Sequence, residues 1–436
     1  MIERKEAHVV TVGQGYVGLP LALSVYDAGF RVTGLDLNAA RVEAINSGQQ
    51  VLSYFPKNRV GDAVRSGRFG ATSDFSIVAD ADIIVICVPT PLSAEGEPDL
   101  SYVQKAGEGL SAHLKPGQLV ALESTVWPGA THRILRPELE KSELTVGAEL
   151  FLGFSPERED PGNAVHHTHN IPKVVGADDQ FSRNLMQVFY ETFIETAVPV
   201  SSCAVAEAVK LVENSFRTLN IAYVNELKTA LSAMGIDIWE VIPAAATKPF
   251  GYMPFYPGPG IGGDCIPVSP VYLSWGARDA GSSLPLVDLA RQSSSQTPLI
   301  VAARVLEEIE TRQGKAPSAS KILLLGVSYK RDVEDTRVSP AFTILHHLEN
   351  QGAKVDFHDP FFPEMPMTRD NPELAGRLSV DLTAASLEEY DAVLVTTDHT
   401  DVDYNLVAQE AKLVCDTRNV FDGKNIEIDR EKLVKL

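Results

Sequence analysis

Cysteine is scarce in this chain of 436 residues, and its spacing excludes two kinds of site. Only four cysteines occur, at positions 87, 203, 265 and 415, and no two of them stand in a CxxC arrangement. Disulfide frameworks and zinc sites need cysteines at closer or more regular spacings. The sequence therefore predicts a reducing compartment, no disulfide framework and no metal site.

Basic residues are outnumbered, and long apolar runs are missing. The chain carries 38 Lys and Arg against 58 Asp and Glu, which gives a formal net charge of -20. Nucleic acids and anionic membranes bind basic faces, so neither is expected as a partner, although a few Lys and Arg side chains can still line a pocket for an anionic small substrate. No apolar run reaches membrane-spanning length. The N-terminus leads directly into a predicted strand, without a signal peptide, so a cytoplasmic protein is predicted.

What the chain does contain is an alternation of short apolar strands and helical patterns, which predicts an α/β fold. Its length predicts two or three domains. Near the N-terminus, residues 8–15 form an apolar run, residues 16–29 follow helical spacing, and residues 31–36 form a second strand. A G-x-G-x-x-G pattern stands between the first strand and the helix, and it contains Gly13, Gly15, Tyr16, Val17 and Gly18.

This glycine pattern, in this context, is typical of a dinucleotide site. Gly13 permits a tight turn, Gly15 lets the pyrophosphate approach the backbone, and Gly18 lets the helix pack closely on the strand. Asp36, about twenty residues on, is expected to accept from the ribose hydroxyls and to repel a 2′-phosphate, so NAD is favoured over NADP. Arg41 is either close enough to this site to weaken the preference for NAD, or a solvated charge on the surface of a helix.

Polar residues follow the next buried strands. Thr90 ends the strand at 82–91, and Ser124 and Thr125 end the strand at 118–125. Ligands of open parallel sheets bind outside the carboxyl ends of the strands, so these three residues are candidates for ligand contact. Helix capping and turn formation explain them equally well. Glu157, after the strand that begins at 151, is a candidate base or an exposed loop acid.

A long helix is predicted from about residue 204 to residue 234, where proline is absent and glycine is absent. Lys210, Asn214 and Arg217 recur at spacings of four and three residues and therefore share one face. That face is either solvated or buried beside a ligand. Long connecting helices often carry subunit contacts, so a homodimer is predicted.

The segment 246–267 is rich in Pro, Gly and aromatic residues and is predicted to be a ligand-binding loop. Within it, Cys265 follows four glycines and is either a covalent nucleophile or a buried structural thiol. A polar linker is predicted at 311–320. A second α/β unit follows it, without a G-x-G-x-x-G pattern, and is predicted to bind something other than a dinucleotide. The charged residues after its first strand, which are candidates to hold phosphates, are Lys330, Arg331 and Arg337.

Seven of these stretches, in this order, resemble the UDP-glucose/GDP-mannose dehydrogenase family. They cover nearly the whole chain and read VGQGYVGLP, CVPTP, EST, FSPER, KLVEN, GPGIGGDCIP and SYKRDVEDTR. The resemblance implies two Rossmann-like doubly wound domains joined by a long central helix and a helical dimerisation domain. It implies a homodimer that oxidises the CH2OH group of a nucleotide sugar through an aldehyde to a carboxylate with NAD. The domains implied are an NAD-binding domain at 1–200, a central domain at 201–312 and a nucleotide-sugar-binding domain at 313–436.

The resemblance also implies roles for particular residues. Cys265 is the nucleophile that holds the aldehyde as a thiohemiacetal and then as a thioester. Lys210 and Asn214 stabilise charge on the sugar oxygen, a task that suits a cation and an amide in a dry site. Glu157 is the general base, and Thr125 helps to hold water.

Further contacts are carried over in the same way. Residues implied at the cofactor are Gly13, Gly15, Tyr16, Val17, Gly18, Asp36, Arg41, Pro89, Thr90, Ser124, Thr125, Glu157, Cys265 and Arg337. Residues implied at the substrate are Glu157, Arg158, Lys210, Asn214, Arg217, Phe255, Tyr256, Gly258, Gly262, Cys265, Tyr329 and Lys330, the last as a phosphate contact.

The cysteine loop departs from the family pattern at two positions. The family's acetamido-sugar branch reads G-G-H-C-I-P-V-D-P, whereas this chain has Asp264 in place of the histidine and Ser269 in place of the aspartate. The family counts that aspartate among its active-site groups. Our hypothesis is that Asp264 replaces it and raises the pKa of the Cys265 thiol.

These departures leave the substrate open. Residues 239–260 resemble the branch that acts on UDP-N-acetylglucosamine or its galacto epimer, whereas the changed loop fits UDP-glucose or dTDP-glucose equally well. Two other functions compete: a two-electron hydroxyacid dehydrogenase, and a catalytically idle NAD-binding protein. The cysteine loop and the second α/β unit argue against the former, and the joint presence of Cys265, Lys210, Asn214, Glu157 and Thr125 argues against the latter.

Overall fold

The computed structural model describes residues 1–52, 56, 58–159, 165–166, 168–263, 266–368 and 370–436. Its residues divide into two compact units. The first unit comprises Met1–Asn214 and Val271–Ser283, and the second comprises Ser215–Pro270 and Leu284–Leu436. Each unit contains a largely parallel sheet with helices, which confirms the predicted α/β class.

The sheet of the first unit has eight strands in the order β3-β2-β1-β4-β5-β6-β7-β8. Its neighbours are parallel except for β6 and β7, which are antiparallel. Four of these strands, β1, β4, β5 and β7, are short and buried along their whole length, as expected for strands of a parallel sheet covered on both faces. The strands are β1 (His8–Val12), β2 (Arg31–Leu35), β3 (Phe69–Thr72), β4 (Ile83–Ile86), β5 (Leu119–Leu122), β6 (Phe151–Phe154), β7 (Lys173–Gly176) and β8 (Ala197–Val200).

The sheet of the second unit has five parallel strands in the order β10-β9-β11-β12-β13. In each sheet the order reverses beside the first strand of the unit, and ligands of doubly wound sheets bind at that point, outside the carboxyl ends. The strands are β9 (Lys321–Leu325), β10 (Lys354–His358), β11 (Ala392–Val395), β12 (Val414–Asp416) and β13 (Leu433–Lys435).

Helices cover the faces of both sheets. In chain order they are α1 (Gly18–Asp27), α2 (Ala39–Asn46), α3 (Arg59–Arg65), α4 (Ser101–Ser111), α5 (Arg136–Leu139), α6 (Gln180–Tyr190), α7 (Cys203–Ala233), α8 (Ile238–Ala246), α9 (Ser269–Asp279), α10 (Pro285–Gln313), α11 (Pro340–Asn350), α12 (Ala384–Leu387), α13 (Tyr404–Glu410) and α14 (Val420–Gly423).

Two of these helices are long. Helix α7 has 31 residues and lies within one residue of the predicted bounds at each end. Helix α10 has 29 residues and was not predicted, because Pro298 lies inside it and an interior proline usually ends a helix. It ends at Gly314, which adopts a left-handed backbone (φ 67°). The first residues of the predicted linker at 311–320 are therefore helical.

Two features are absent from the described part of the chain. No helix in it combines the length and the apolar character needed to cross a membrane. No three of its His, Cys, Asp and Glu side chains are grouped so that they could hold a metal ion.

Asp359, just after β10, organises the polar edge of the second sheet. Its carboxylate is buried and accepts hydrogen bonds from the amides of Val327 (2.7 Å) and Phe361 (2.8 Å). The buried His399 ring lies 3.2 Å away through Nε2, and its Nδ1 accepts from a backbone amide, so Nε2 carries the proton. Burial raises the pKa of Asp359, but His399 and the amides lower it further, to below its ordinary value.

We predict that Asp359→Ala lowers the free energy of unfolding of the second unit by about 3 kcal/mol at pH 7, because buried donors lose their acceptor. The folded pKa lies below the unfolded one, so this contribution is complete above the unfolded value and is lost as the pH falls through the folded value. Thermal unfolding at pH 7 and at pH 3 measures both effects. Asp401→Ala, at an exposed position, is the control, and an equal loss in both variants contradicts the prediction.

Candidate active site

The turn after β1 has the geometry of a dinucleotide cradle. Gly13 has φ 90°, and a Cβ added there would lie 2.7 Å from the carbonyl oxygen of Cys87. A Cβ at Gly18 would overlap the carbonyl oxygen of Gly13, so helix and strand touch through these glycines. A Cβ at Gly15 would meet nothing within 4 Å, which leaves that backbone open to a ligand. Gly13 therefore forms the tight turn and Gly18 the close packing that the sequence predicts, the contact of Gly15 with a pyrophosphate stays a prediction, and the amino end of α1 faces this turn.

Asp36 connects the end of β2 to this turn. Its carboxylate accepts from the amides of Gln14 (2.7 Å) and Asn38 (2.8 Å). The guanidinium of Arg41 lies 3.2 Å from the same carboxylate. Arg41 is thus paired with the acid that is predicted to accept from the ribose hydroxyls.

The predicted polar residues after β4 and β5 lie at the same edge of the sheet. The Ser124 hydroxyl donates to the carbonyl of Val88 at 2.7 Å and so ties the two strand ends together. The carbonyl of Thr90 accepts from the Tyr272 hydroxyl at 3.0 Å. Thr125 is half-buried, Pro89 beside Thr90 is exposed, and Tyr16 in the glycine turn is about half exposed. Ser124 and Thr90 therefore have structural bonds in addition to their predicted ligand roles.

A buried cluster of charges lies at this edge, beyond β5 and β6. The Lys173 ammonium is 2.7 Å from the carboxylate of Glu123 and 3.0 Å from that of Glu157. The Tyr190 hydroxyl donates to the other oxygen of Glu123 at 2.5 Å. Only 5% of the Lys173 side chain and none of the Glu123 side chain is exposed, against 14% for Glu157.

The register of the sheet explains how Lys173 reaches this cluster. β7 is antiparallel to β6, with Gly176 opposite Phe154. Continuing that register by three residues places Lys173, the first residue of β7, opposite Glu157. A parallel β7 would have put its first residue at the opposite edge of the sheet.

Lys210 and Asn214, the two residues of α7 predicted to act on the sugar, are buried and belong to the first unit. Lys210 is 7% exposed and Asn214 is 9% exposed. Burial raises the pKa of Glu157, but Lys173 and then Lys210 lower it more strongly, and the result is a pKa of about 2. Glu157 is therefore ionised at neutral pH, and the charge of Lys210 contributes to that ionisation.

The remaining predicted residues near this cluster differ in exposure. Arg158 pairs with Glu213 at 2.5 Å and donates to the carbonyl of Pro172 at 2.5 Å. Arg217, one turn beyond Asn214 on α7, is exposed. The predicted face of α7 is thus buried at Lys210 and Asn214 and open at Arg217.

In the second unit, residues 258–263, called the glycine loop below, pack on the loop that follows β9. A Cβ at Gly262 would lie 2.6 Å from the Cβ of Tyr329. The amide of Gly263 donates to the carbonyl of Arg337 at 3.0 Å. The guanidinium of Arg337 pairs with Asp335 at 2.6 Å, and the guanidinium of Arg331 pairs with Asp398. The structure therefore brings the predicted residues Gly262, Tyr329 and Arg337 together.

The start of the glycine loop lies against the carboxyl end of β12. The amide of Gly258 donates to the side-chain oxygen of Asn225 on α7 at 2.9 Å. A Cβ at Gly258 would lie 2.7 Å from the guanidinium of Arg418. Burial lowers the pKa of Arg418 to about 10, and the nearby Arg331 adds to the effect. The buried Nδ2 of Asn225 has no hydrogen-bond partner among the described residues.

Aromatic side chains extend this surface of the second unit. Phe255 contacts Phe216 edge-on with ring centroids 5.8 Å apart. Tyr256 stacks on Trp239, also at 5.8 Å. Lys330 follows Tyr329 directly and is half-buried. Cys265 and Asp264 lie outside the described residues, and Ser269 is fully buried at the start of α9.

Four residues at these edges were not predicted from the sequence: Lys173, Tyr190, Asn225 and Arg418. Lys173 carried a usable signal, because a lysine in a strand of otherwise apolar, fully buried residues needs a partner. Tyr190 and Arg418 carried none, since their significance depends on strands distant in sequence.

The Asp36–Arg41 pair leads to a prediction about the preference for NAD over NADP. Asp36→Ser removes the acceptor for the ribose hydroxyls and releases Arg41, so we expect the KM for NAD to rise about tenfold or more and NADP to become usable. Steady-state kinetics with each dinucleotide measure the change. In Asp36→Ser/Arg41→Ala the gain with NADP is expected to disappear. A single variant that still rejects NADP contradicts the prediction.

Comparisons with known proteins agree with this architecture. Models of three parts of one family match the chain: the NAD binding domain of the UDP-glucose/GDP-mannose dehydrogenase family at 7–194, its central domain at 204–296 and its UDP binding domain at 323–426. The chain is 33% identical to a UDP-N-acetyl-D-glucosamine 6-dehydrogenase of Pseudomonas aeruginosa, over 82% of this chain and 83% of that protein. It is 30% identical to a UDP-N-acetyl-D-mannosamine dehydrogenase of Methanocaldococcus jannaschii, over 95% of this chain and 92% of that protein.

A solved structure supports the same assignment. The UDP-D-ManNAc dehydrogenase of Pyrococcus horikoshii superposes with a TM-score of 0.85 at 29% identity, over 95% of this chain and 96% of that chain. The dinucleotide cradle in the first unit, the five-stranded sheet of the second and these matches lead to one conclusion. The chain is an NAD-binding oxidoreductase that belongs to the UDP-glucose/GDP-mannose dehydrogenase family.

Proposed function

We propose that this protein oxidises the C6 hydroxymethyl group of a UDP-N-acetylhexosamine to a carboxylate, with two equivalents of NAD. The observation that carries the proposal is the ionised Glu157 carboxylate, which Lys173 holds at the same sheet edge as the dinucleotide cradle, together with the buried Lys210 on α7. The relatives named above, which act on UDP-N-acetylglucosamine and UDP-N-acetylmannosamine, support the choice of sugar.

The overall reaction balances with water as the second oxygen donor. One alcohol, two NAD and one water give one carboxylate, two NADH and three protons. NAD, when bound, accepts the hydride that C6 loses in each of two oxidations. The chain must hold the alcohol, stabilise its oxygen as the hydride leaves, retain the aldehyde and admit one water.

Lys210 and Asn214 are proposed to act on the sugar oxygen. An ammonium and an amide, both buried, stabilise a developing alkoxide because little water competes with them. The same two donors then polarise the aldehyde carbonyl, so that a nucleophile can add to its carbon.

Cys265 is the proposed nucleophile. Its sulfur bonds to the aldehyde carbon to give a thiohemiacetal, loss of hydride gives a thioester, and water then cleaves the C–S bond and returns the thiol. Asp264 is proposed to take the place of the aspartate that Ser269 has replaced. Thr125 and Glu157 are proposed to hold the water. With a pKa of about 2, the Glu157 carboxylate is a weak base but accepts hydrogen bonds well. It is therefore better suited to orienting the attacking water than to removing a proton from it.

The nucleotide is proposed to bind the second unit. Tyr329, Lys330 and Arg418 offer an aromatic ring and two cations at the carboxyl ends of β9 and β12. Gly258 and Gly262 leave no room for side chains beside them, and Phe255 and Tyr256 add apolar surface. Arg337 is proposed to contact the cofactor, as the resemblance implies.

The substrate prediction is tested by NADH formation with a panel of UDP-N-acetylglucosamine, UDP-N-acetylmannosamine, UDP-N-acetylgalactosamine, UDP-glucose, dTDP-glucose and GDP-mannose. We expect two NADH per sugar and a preference for a UDP-N-acetylhexosamine. Cys265→Ser is expected to stop steady turnover, because no thioester forms. One NADH per sugar would mean that a two-electron oxidation ends at the aldehyde. NADH from no sugar would mean that the protein binds NAD without catalysis.

We also propose that the protein is a homodimer. Val205, Val212, Phe216 and Tyr223 recur along α7 at spacings of seven, four and seven residues, and 42–58% of each is exposed. An exposed apolar stripe of this length on one helix is typical of a surface that a partner covers. A second copy of the chain is the proposed partner.

Val212→Glu/Tyr223→Glu is expected to convert the dimer to a monomer at micromolar concentration, because two buried carboxylates would lack partners. Light scattering after gel filtration measures the mass. Leu378→Glu, at an apolar residue of the second unit that is 71% exposed and off this helix, is the control and is expected to leave the mass unchanged. A wild-type chain that runs as a monomer would refute the proposal.

A further inference from the structure

Lys173 is a buried cation for which the proposed chemistry has no step. It lies on β7, is almost fully inaccessible, and contacts Glu123 and Glu157 at 2.7 and 3.0 Å. Its ammonium also lies 5.5 Å from the centroid of the Tyr190 ring. Burying a cation costs free energy that ion pairing offsets only in good geometry, so such a residue needs a reason beyond stability.

The contacts form a chain in one direction. The Tyr190 hydroxyl holds one oxygen of Glu123, and the other oxygen of Glu123 holds the Lys173 ammonium. Lys173 then donates to Oε2 of Glu157. Exposure rises along this chain from the fully buried Tyr190 and Glu123 to Glu157, whose side chain alone is partly accessible. The buried end is thus an anchor and the accessible end is the group presented to the site.

Hydrogen bonds to both oxygens fix the orientation of the Glu157 carboxylate. Its Oε1 accepts from the amides of Arg158 at 2.7 Å and Glu159 at 2.6 Å, and its Oε2 accepts from Lys173. The two amides belong to the same loop and move with Glu157. Lys173 is the contact that fixes the carboxylate to the sheet.

We propose that Lys173 is a positioning residue of the oxidation: anchored on Glu123 and Tyr190, its ammonium holds the Glu157 carboxylate ionised and in one orientation toward the bound sugar. The proposal rests on the proposed function, because orientation matters only if Glu157 acts on the sugar or its water. A lysine that served the fold alone would need no accessible carboxylate at the end of the chain of contacts.

Charged and titratable groups of the described residues face this cluster from several elements. They are Cys87 after β4, Glu123 after β5, Glu157 after β6, Tyr190 on α6 and Lys210 on α7. Burial, followed by Glu123, raises the pKa of the Cys87 thiol, and burial also raises that of the Tyr190 hydroxyl, so both stay neutral at ordinary pH. The two carboxyls are therefore the groups that respond when the Lys173 charge is removed.

Removal of the Lys173 charge is expected to change the pKa of Glu157 in one direction. In the wild type Glu157 is ionised throughout the range from pH 6 to pH 9 and adds no limb to the rate profile. Without the ammonium, burial raises the pKa of Glu157 and is opposed only in part, by Lys210 and the amide of Glu159. Glu157 then takes up a proton as the pH falls, and the rate falls with it.

The test compares kcat from pH 6 to pH 9 in the wild type, Lys173→Met, Lys173→Gln and Lys173→Arg, with the sugar that the wild type prefers. We expect the ratio of the Met or Gln variant to wild type to rise about tenfold from pH 6 to pH 8, with the KM for NAD within about threefold. Lys173→Arg keeps the charge and is expected to restore the flat ratio. Lys173→Gln keeps a hydrogen-bond donor and serves if Lys173→Met does not fold.

Two further measurements assign the effect. In Glu123→Gln/Lys173→Met the pH-dependent loss is expected to persist, because Glu157 is the titrating group; its disappearance would assign the titration to Glu123 and overturn the proposal. The melting temperature is expected to fall less in Lys173→Gln at pH 5 than at pH 8, since a carboxyl with a raised folded pKa stabilises the fold below that pKa and loses the contribution above it.

The failures are distinguishable. A wild type that oxidises no nucleotide sugar refutes the proposed function and the positioning role together. An active wild type whose variants lose the same fraction of kcat at every pH refutes the positioning role alone.

Discussion

One buried ammonium fixes the polar edge of the first sheet. Lys173 lies between the carboxylates that follow β5 and β6, and both would be difficult to ionise in that position without it. Its place depends on the single antiparallel step in an otherwise parallel sheet, which turns the first residue of β7 toward the carboxyl ends of its neighbours. A topological feature that has no chemistry of its own thereby supplies the charge that keeps Glu157 an anion.

The two units share one hydrogen bond between an aspartate and a turn, but its surroundings differ. In each, an aspartate after the second strand accepts an amide of the turn after the first strand at 2.7 Å: Asp36 from Gln14, and Asp359 from Val327. Asp36 also accepts from the amide of Asn38 and pairs with Arg41, and 10% of its side chain is exposed. Asp359 also holds the buried His399 and has no accessible oxygen. The same scaffold thus binds a dinucleotide in the first unit and is closed to that use in the second.

Much of the fold was predictable because its signals are local. The apolar run at 8–15 that contains β1, the glycines with their fixed spacing and the helix α7 follow from periodicity and from backbone sterics within about thirty residues. Helix α10 was missed because Pro298 opposes it locally, and packing against the second sheet outweighs that preference. Residues 247–263 of the predicted loop at 246–267 form no helix or strand, and the contacts of this segment with Tyr329 and Arg418 join segments far apart in the chain.

The sequence by itself determined the dinucleotide turn, the α/β class, the family and the residue types available for catalysis, since each is written in short-range spacing. Only the tertiary structure decided that Gly262 packs on Tyr329 and that Lys173 joins Glu123 to Glu157. Those contacts depend on strand order and register. A run of apolar residues specifies that a strand forms, whereas its neighbour and its direction are set by the packing of the whole sheet.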